Sequence, residues 1–196
     1  MKILAIDGNS ILNRAFYGIK LLTTKDGKQF TNGIYGFLTI LLRLTDEVRP
    51  DSVAIAFDVK APTFRHEMYD GYKANRKGMP PELAQQLQPL KDLLSAMGYK
   101  ILEAPGWEAD DILGTLAKKA DSEGIRVSLV SGDRDLLQIA TDRIKIRIPK
   151  TKMGKTEIED YYDQDVKAAY DVTPEQFIEL KALMGDTSDN IPGVAG

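Results

Sequence analysis

Apolar residues fall in short runs that are closed, again and again, by acidic or turn-forming residues. Residues 2–6 are an apolar run ended by Asp7-Gly8-Asn9-Ser10, which predicts a buried strand, a turn, and a helix capped by Asn9 or Ser10. Ile34, Phe37, Leu38, Leu41, Leu42 and Val48 recur at a helical period over residues 33–48, and Arg49-Pro50-Asp51 breaks the pattern. A second strand is predicted over 52–57, ended by Asp58. A helix over 81–97 stops at Gly98, and a third strand follows over 99–102. Residues 107–122 read as a helix with Ile112, Leu113, Leu116 and Ala120 inward. The fourth strand, 126–130, runs into Ser131-Gly132-Asp133. A short helix over 135–140, a fifth strand over 144–148 and helices over 163–170 and 174–184 complete the chain. Strands that alternate with helices predict an α/β fold with a mainly parallel central sheet flanked by helices. Residues 60–81 carry no clear period, and a connection of that length in a compact domain is usually a functional loop or a mobile element.

The acids change the picture. Asp7 follows the first strand and Asp58 the second. Glu108, Asp110 and Asp111 open the helix after the third, and Asp133 and Asp135 follow the fourth. Asp186 and Asp189 close the last helical segment. Ligands of open parallel sheets gather at the carboxyl ends of the strands, so most of these acids should meet at one edge. Any one of them alone reads as a helix cap. Caps account for one acid per helix, not two or three. Like charges at one edge repel unless neutralised, and a divalent cation is the simplest neutraliser. Carboxylate oxygens suit Mg2+ or Mn2+ rather than zinc or copper. A site this rich in acid can hold two ions roughly 3.5–4 Å apart, an arrangement suited to in-line phosphoryl displacement.

Bases follow close behind. Gly71-Tyr72-Lys73-Ala74-Asn75-Arg76-Lys77 sets an aromatic inside a basic run, a composition that can neutralise phosphates and stack on an unpaired base. Arg14 lies on the helix just after Asp7, within possible reach of a phosphate. Residues 143–155 hold six positive residues and no acid. There Arg143, Lys145 and Arg147 alternate with isoleucines, which fits either a DNA contact or a charged edge strand that resists aggregation. Gly154-Lys155-Thr156 looks like the tail of a phosphate loop, but the glycine required five positions earlier is Pro149, so a nucleotide site is rejected.

Composition excludes other chemistries. The 196 residues include no cysteine and one histidine, His66, which removes disulfides, thiolate metal sites, cysteine nucleophiles and multi-histidine sites. No apolar stretch approaches a membrane span, and the N-terminal apolar run is too short for a signal peptide. A reducing cytoplasm is the expected compartment.

In order along the chain, these blocks resemble the 5′-nuclease domain of bacterial DNA polymerase I, of the flap endonuclease family. They are Ala5-Ile6-Asp7-Gly8-Asn9-Ser10, Ala56-Phe57-Asp58, Tyr72-Lys73-Ala74-Asn75-Arg76, Gly106-Trp107-Glu108-Ala109-Asp110-Asp111, Ser131-Gly132-Asp133-Arg134-Asp135, and Gly185-Asp186-Thr187-Ser188-Asp189-Asn190-Ile191-Pro192-Gly193-Val194. The resemblance implies a PIN-like architecture with a helical arch near 60–81, on a nuclease core spanning 1–185. Residues 186–196 would begin a helix–hairpin–helix-like DNA-binding element that stops short. The implied activity is two-metal hydrolysis at 5′ flaps and nicked ends, in RNA-primer removal and repair. The implied metal ligands are Asp7, Asp58, Glu108, Asp110, Asp111, Asp133, Asp135, Asp186 and Asp189, with Mg2+ or Mn2+ as the ions and K+ only in a longer chain. Lys73 and Arg76 would hold the scissile phosphate, Tyr72 would stack on the displaced base, and Arg14 and Lys77 would touch the backbone. The implied partner is DNA with a 5′ flap, a nick or an RNA–DNA primer junction, and no membrane. The expected molecule is a nucleoid-associated bacterial monomer, linked in its full-length form to a polymerase domain.

Two other readings stand beside this one: a PIN-like ribonuclease, and a junction-binding module whose catalysis is lost with the missing C-terminal part. The net charge of −3 argues against a nucleic-acid partner only at first sight. Setting aside nine of the 29 acids as metal ligands leaves twenty against 26 bases.

Overall fold

The computed structural model describes residues 1–152 and 155–194. Its strands are β1 (Lys2–Asp7), β2 (Ser52–Ala56), β3 (Lys100–Leu102), β4 (Arg126–Val130), β5 (Ile144–Lys152) and β6 (Lys155–Tyr161). Its α-helices are α1 (Gly8–Gly18), α2 (Asn32–Val48), α3 (Phe64–Met68), α4 (Pro81–Ala96), α5 (Ala109–Ser122), α6 (Asp163–Tyr170) and α7 (Pro174–Met184). One six-stranded sheet has the order β3-β2-β1-β4-β5-β6. Every pairing is parallel except β5 with β6.

Strand alternation sorts the side chains into two cores. Leu4, Ile6, Ile55 and Phe57 face one side and pack with Phe37, Leu41, Leu83 and Leu90 of α2 and α4. Ile3, Ala5, Leu129 and Ile146 face the other, against Leu113 and Ala117 of α5 and Phe177 of α7. Burial on both faces explains why β1 reads as a continuous apolar run. The chain turns into α1 at Gly8 because only hydrogen fits there: a Cβ would stand 2.4 Å from the Phe57 ring.

Three expectations need correction. The cap of α1 is Asp7, one residue earlier than Asn9 or Ser10, with its side chain accepting from the Ser10 N–H. Residues 134–139 form a 3-10 helix rather than an α-helix. β6 was not expected, since its residues 157–161 mix acids with Ile158 and Tyr161 and show no apolar run. Residues 60–81 hold the five-residue α3 followed by turns. The last stretch, 186–194, is a loop closed by a bridge between Asp186 and Ile191. Gly154 of the rejected phosphate loop, and residues 195–196 of the expected DNA-binding element, lie outside the described residues.

Candidate active site

The parallel order puts the carboxyl ends of β1, β2 and β4 side by side, and the acids that follow them meet there. Asp7, Asp58, Glu108, Asp110, Asp133, Asp135 and Asp186 line one open cleft of about 840 Å³. Asp111 and Asp189 line an adjoining pocket of about 610 Å³, which also shares Glu108, Asp110, Asp133, Asp135 and Asp186. Backbone N–H groups seat Asp7, Asp58 and Asp133. Asp7 Oδ1 takes the Ser10 N–H at 2.9 Å and its Oδ2 takes the Ser131 hydroxyl at 2.7 Å. Asp58 Oδ1 accepts the Ala109 N–H at 2.8 Å, tying the end of β2 to the start of α5. Asp133 caps the 3-10 helix by accepting the Asp135 N–H at 2.8 Å. These acids are caps and cleft residues at once.

Crowding shows in their proton affinities. Burial pushes Asp7 up to about 6, against the hydrogen bonds from Ser10 and Ser131, with the charges of Asp58 and Asp133 adding to the rise. Burial, then the charges of Asp7, Asp133, Asp58 and Glu108, push Asp110 up to about 9. Asp110 Oδ1 is buried with no hydrogen-bond partner. Burial also raises Asp133. At the rim the balance reverses. Burial would raise Asp186, but hydrogen bonds from Ser188 and Lys181 bring it down to about 2.

Bases occupy several of the carboxylates. Lys73 Nζ lies 2.8 Å from Glu108 Oε1 and 3.9 Å from Asp189. Arg76 pairs with Asp189, and Lys181 Nζ bridges Asp135 and Asp186 at 3.0 Å each. As these side chains lie, no group of three or more acid or histidine side chains among the described residues is arranged to hold a metal ion. The donor set nevertheless fits a hard cation. It is carboxylate oxygen only, it is mutually repulsive, and it leaves a buried oxygen on Asp110 without a partner.

Several expected site residues stand elsewhere than anticipated. Tyr72 is only 5% exposed, and its hydroxyl lies 2.9 Å from Glu108 and 3.1 Å from Asp189, so its ring is not displayed for stacking on a base. Burial and those two carboxylates raise its phenol above the usual range. Arg14 does not line the acidic cleft. The cleft face of α1 is Asn9, Ser10, Asn13 and Tyr17, whereas Arg14 lines a separate groove with residues of α2. Lys77 does line the cleft. The alternating bases at 143–147 are already matched: Arg143 with Asp121, Lys145 with Asp160, and Arg147 with Asp160 and Glu47. β6 covers β5, so β5 is not an edge strand either.

The sequence reading missed Lys181 and Arg65. Lys181 sits five residues before Asp186 at the end of α7, a spacing that could have suggested the pair. Arg65 grips Asp111 across 46 residues, and no local pattern announces it.

Relatives agree with this architecture. DNA polymerase I of Bacillus subtilis is 45% identical over 195 residues, which is 100% of this chain and 22% of that relative, so the chain spans about a fifth of its length. T5 5′-exonuclease with bound divalent zinc ions superposes with a TM-score of 0.78 at 26% identity, covering 100% of this chain and 71% of that one. A bacteriophage T5 flap endonuclease variant, in a pseudo-enzyme-product complex with DNA and metal ions, gives 0.78 at 25% identity with the same coverage. Residues 2–171 match the description of one family along nearly the whole sheet and its acid-bearing ends. The chain belongs to the family of the 5′-3′ exonuclease, N-terminal resolvase-like domain.

Proposed function

We propose that this chain is a divalent-metal-dependent, structure-specific 5′ nuclease that hydrolyses phosphodiester bonds at 5′ flaps and nicked duplex ends. One observation carries the reading: seven acids from five segments of the chain converge on a single open cleft edged by lysine and arginine. Its direct metal ligands are Asp7, Asp58, Glu108, Asp110, Asp133, Asp135 and Asp186, while Asp111 and Asp189 act indirectly from the adjoining pocket. Mg2+ or Mn2+ held by these residues would lower the pKa of a water and offset charge on the phosphate. Lys73 and Arg76 are phosphate ligands, held on Glu108 and Asp189 until substrate arrives. Lys77, on the cleft rim, adds backbone affinity. DNA as partner is supported by the T5 complex, and a linked polymerase domain by the B. subtilis relative's name. Primer removal and repair by a monomer is the role this chemistry suits.

The test is incubation with a labelled 5′-flap duplex or single-stranded RNA, in Mg2+ or EDTA. The reading expects flap cleavage that needs Mg2+. Cleavage of RNA alone would overturn it in favour of a ribonuclease. Flap binding without cleavage, alongside an active longer chain, would favour the junction-binding module.

A further inference from the structure

Two neighbouring acids at the start of α5 differ in their partners. Asp110 points into the cleft and leaves one oxygen unpartnered. Asp111 spends both oxygens elsewhere. Arg65 Nη1 donates to its Oδ2 and Nη2 to its Oδ1, each at 2.8 Å, a two-pronged fit that only guanidinium makes. Asp111 Oδ2 also accepts the Glu108 backbone N–H at 3.0 Å. Burial pulls the Asp111 carboxyl up, but Arg65 and that N–H outweigh it and hold it below the usual range.

Arg65 is itself anchored. Its guanidinium lies 4.5 Å from the centre of the Phe64 ring. The Phe64 and Trp107 rings are 5.2 Å apart, and the Phe64 N–H donates to the Gly106 carbonyl at 3.3 Å. Arg65 Nη1 also stands 3.9 Å from Glu108 Oε2. So α3 is pinned to the corner that carries Glu108.

We infer that Arg65 is a positioning residue of the acidic cleft, acting through Asp111 to hold Glu108 in place and to keep the Asp111 charge out of the cation site. This rests on the proposed nuclease reading. It also assigns Asp111 to support rather than to direct ligation.

The test uses Arg65→Lys, Arg65→Met and the exchanged pair Arg65→Asp with Asp111→Arg. Two measurements are made on each: Mn2+ titration followed by Trp107 fluorescence without DNA, and flap cleavage resolved into kcat and KM. Arg65→Met is expected to raise the half-saturating Mn2+ about tenfold and lower kcat at least tenfold, with KM for DNA within about twofold. Relative to Arg65→Met, Arg65→Lys should recover part of both, and so should the exchanged pair. A rise in KM alone would make Arg65 a DNA contact and overturn the inference, as would an unchanged Mn2+ titration. If Arg65→Met unfolds, an exchanged pair that folds but shows no recovery of the titration also overturns it. A wild-type chain that binds Mn2+ but cleaves nothing would count against the nuclease reading, while the titrations still decide the role of Arg65.

Discussion

Asp110 is the residue on which the cleft's electrostatics turn. With its pKa near 9 and Asp7 near 6, the metal-free protein holds protons where cations are expected to bind. Both values lie above the ordinary carboxylate range. Their stabilising contribution is therefore complete below that range and is lost as pH rises through about 6 and then about 9. Metal-free protein should show a falling unfolding temperature as pH rises from about 6 to about 9. Asp110→Asn should flatten that fall and stabilise the protein at high pH by on the order of 1–3 kcal/mol, read by thermal denaturation. Cation binding must displace these protons. Half-saturating Mn2+ should therefore climb as pH drops from about 8.5 to about 6, with protons released into weakly buffered solution. Asp133→Asn keeps an oxygen to cap the Asp135 N–H but loses the charge. It should leave thermal unfolding nearly unchanged and cut kcat by about 100-fold or more; near-normal turnover would remove Asp133 from the site.

Elements explain what could be read from the chain and what could not. The parallel strands announced themselves as apolar runs, because burial on both faces leaves no polar alternation. The acids could be read with them, because a strand end is a fixed place in this topology. Contacts between distant elements left no such mark. Arg65 with Asp111 is one. Gln86 of α4 is another: fully buried, it accepts the Gly33 N–H at 2.8 Å and the Ile34 N–H at 3.2 Å. Its amide also donates to Asn32 and to the Glu82 carbonyl. Thr31, the residue before α2, provides no side-chain cap, so a glutamine from another helix does that work. Gln86→Leu strands those N–H groups in the core. It should cost about 2–3 kcal/mol in denaturant unfolding while leaving the Mn2+ titration in place. Likewise the burial of Tyr72 follows from Glu108 and Asp189, both remote in sequence. An aromatic in a basic run pointed instead to an exposed ring.

Across the whole molecule, residues 69–76 and 186–190 form one docked unit. The Lys73 N–H donates to the Asp189 carbonyl at 2.9 Å, Asn75 to the Thr187 carbonyl at 3.0 Å, and Asn190 to the Gly71 carbonyl at 2.8 Å. Arg76 Nε adds a bond to the Ser188 carbonyl. The loop's shape depends on Gly185, whose φ is +70° and where a Cβ would fall 2.3 Å from the Gly193 nitrogen. Gly185→Ala should therefore displace 186–190 and release 69–76. Trypsin should then cut faster after Lys73, Arg76 and Lys77, and flap affinity should fall about tenfold. Equal cleavage rates in variant and parent would show that the two segments are independent.

The strand order has a last consequence, for the chain while it is being made. Asp7 and Asp133 share Ser131, yet they are separated by most of the molecule, and β4 must seat beside β1 before they meet. Asp186 arrives later still. Parallel pairings between such distant segments are slow to form. A nascent or partly unfolded copy thus has its acids scattered and no cation pocket to offer. The cation pocket is thus a property of the assembled sheet and of no single segment.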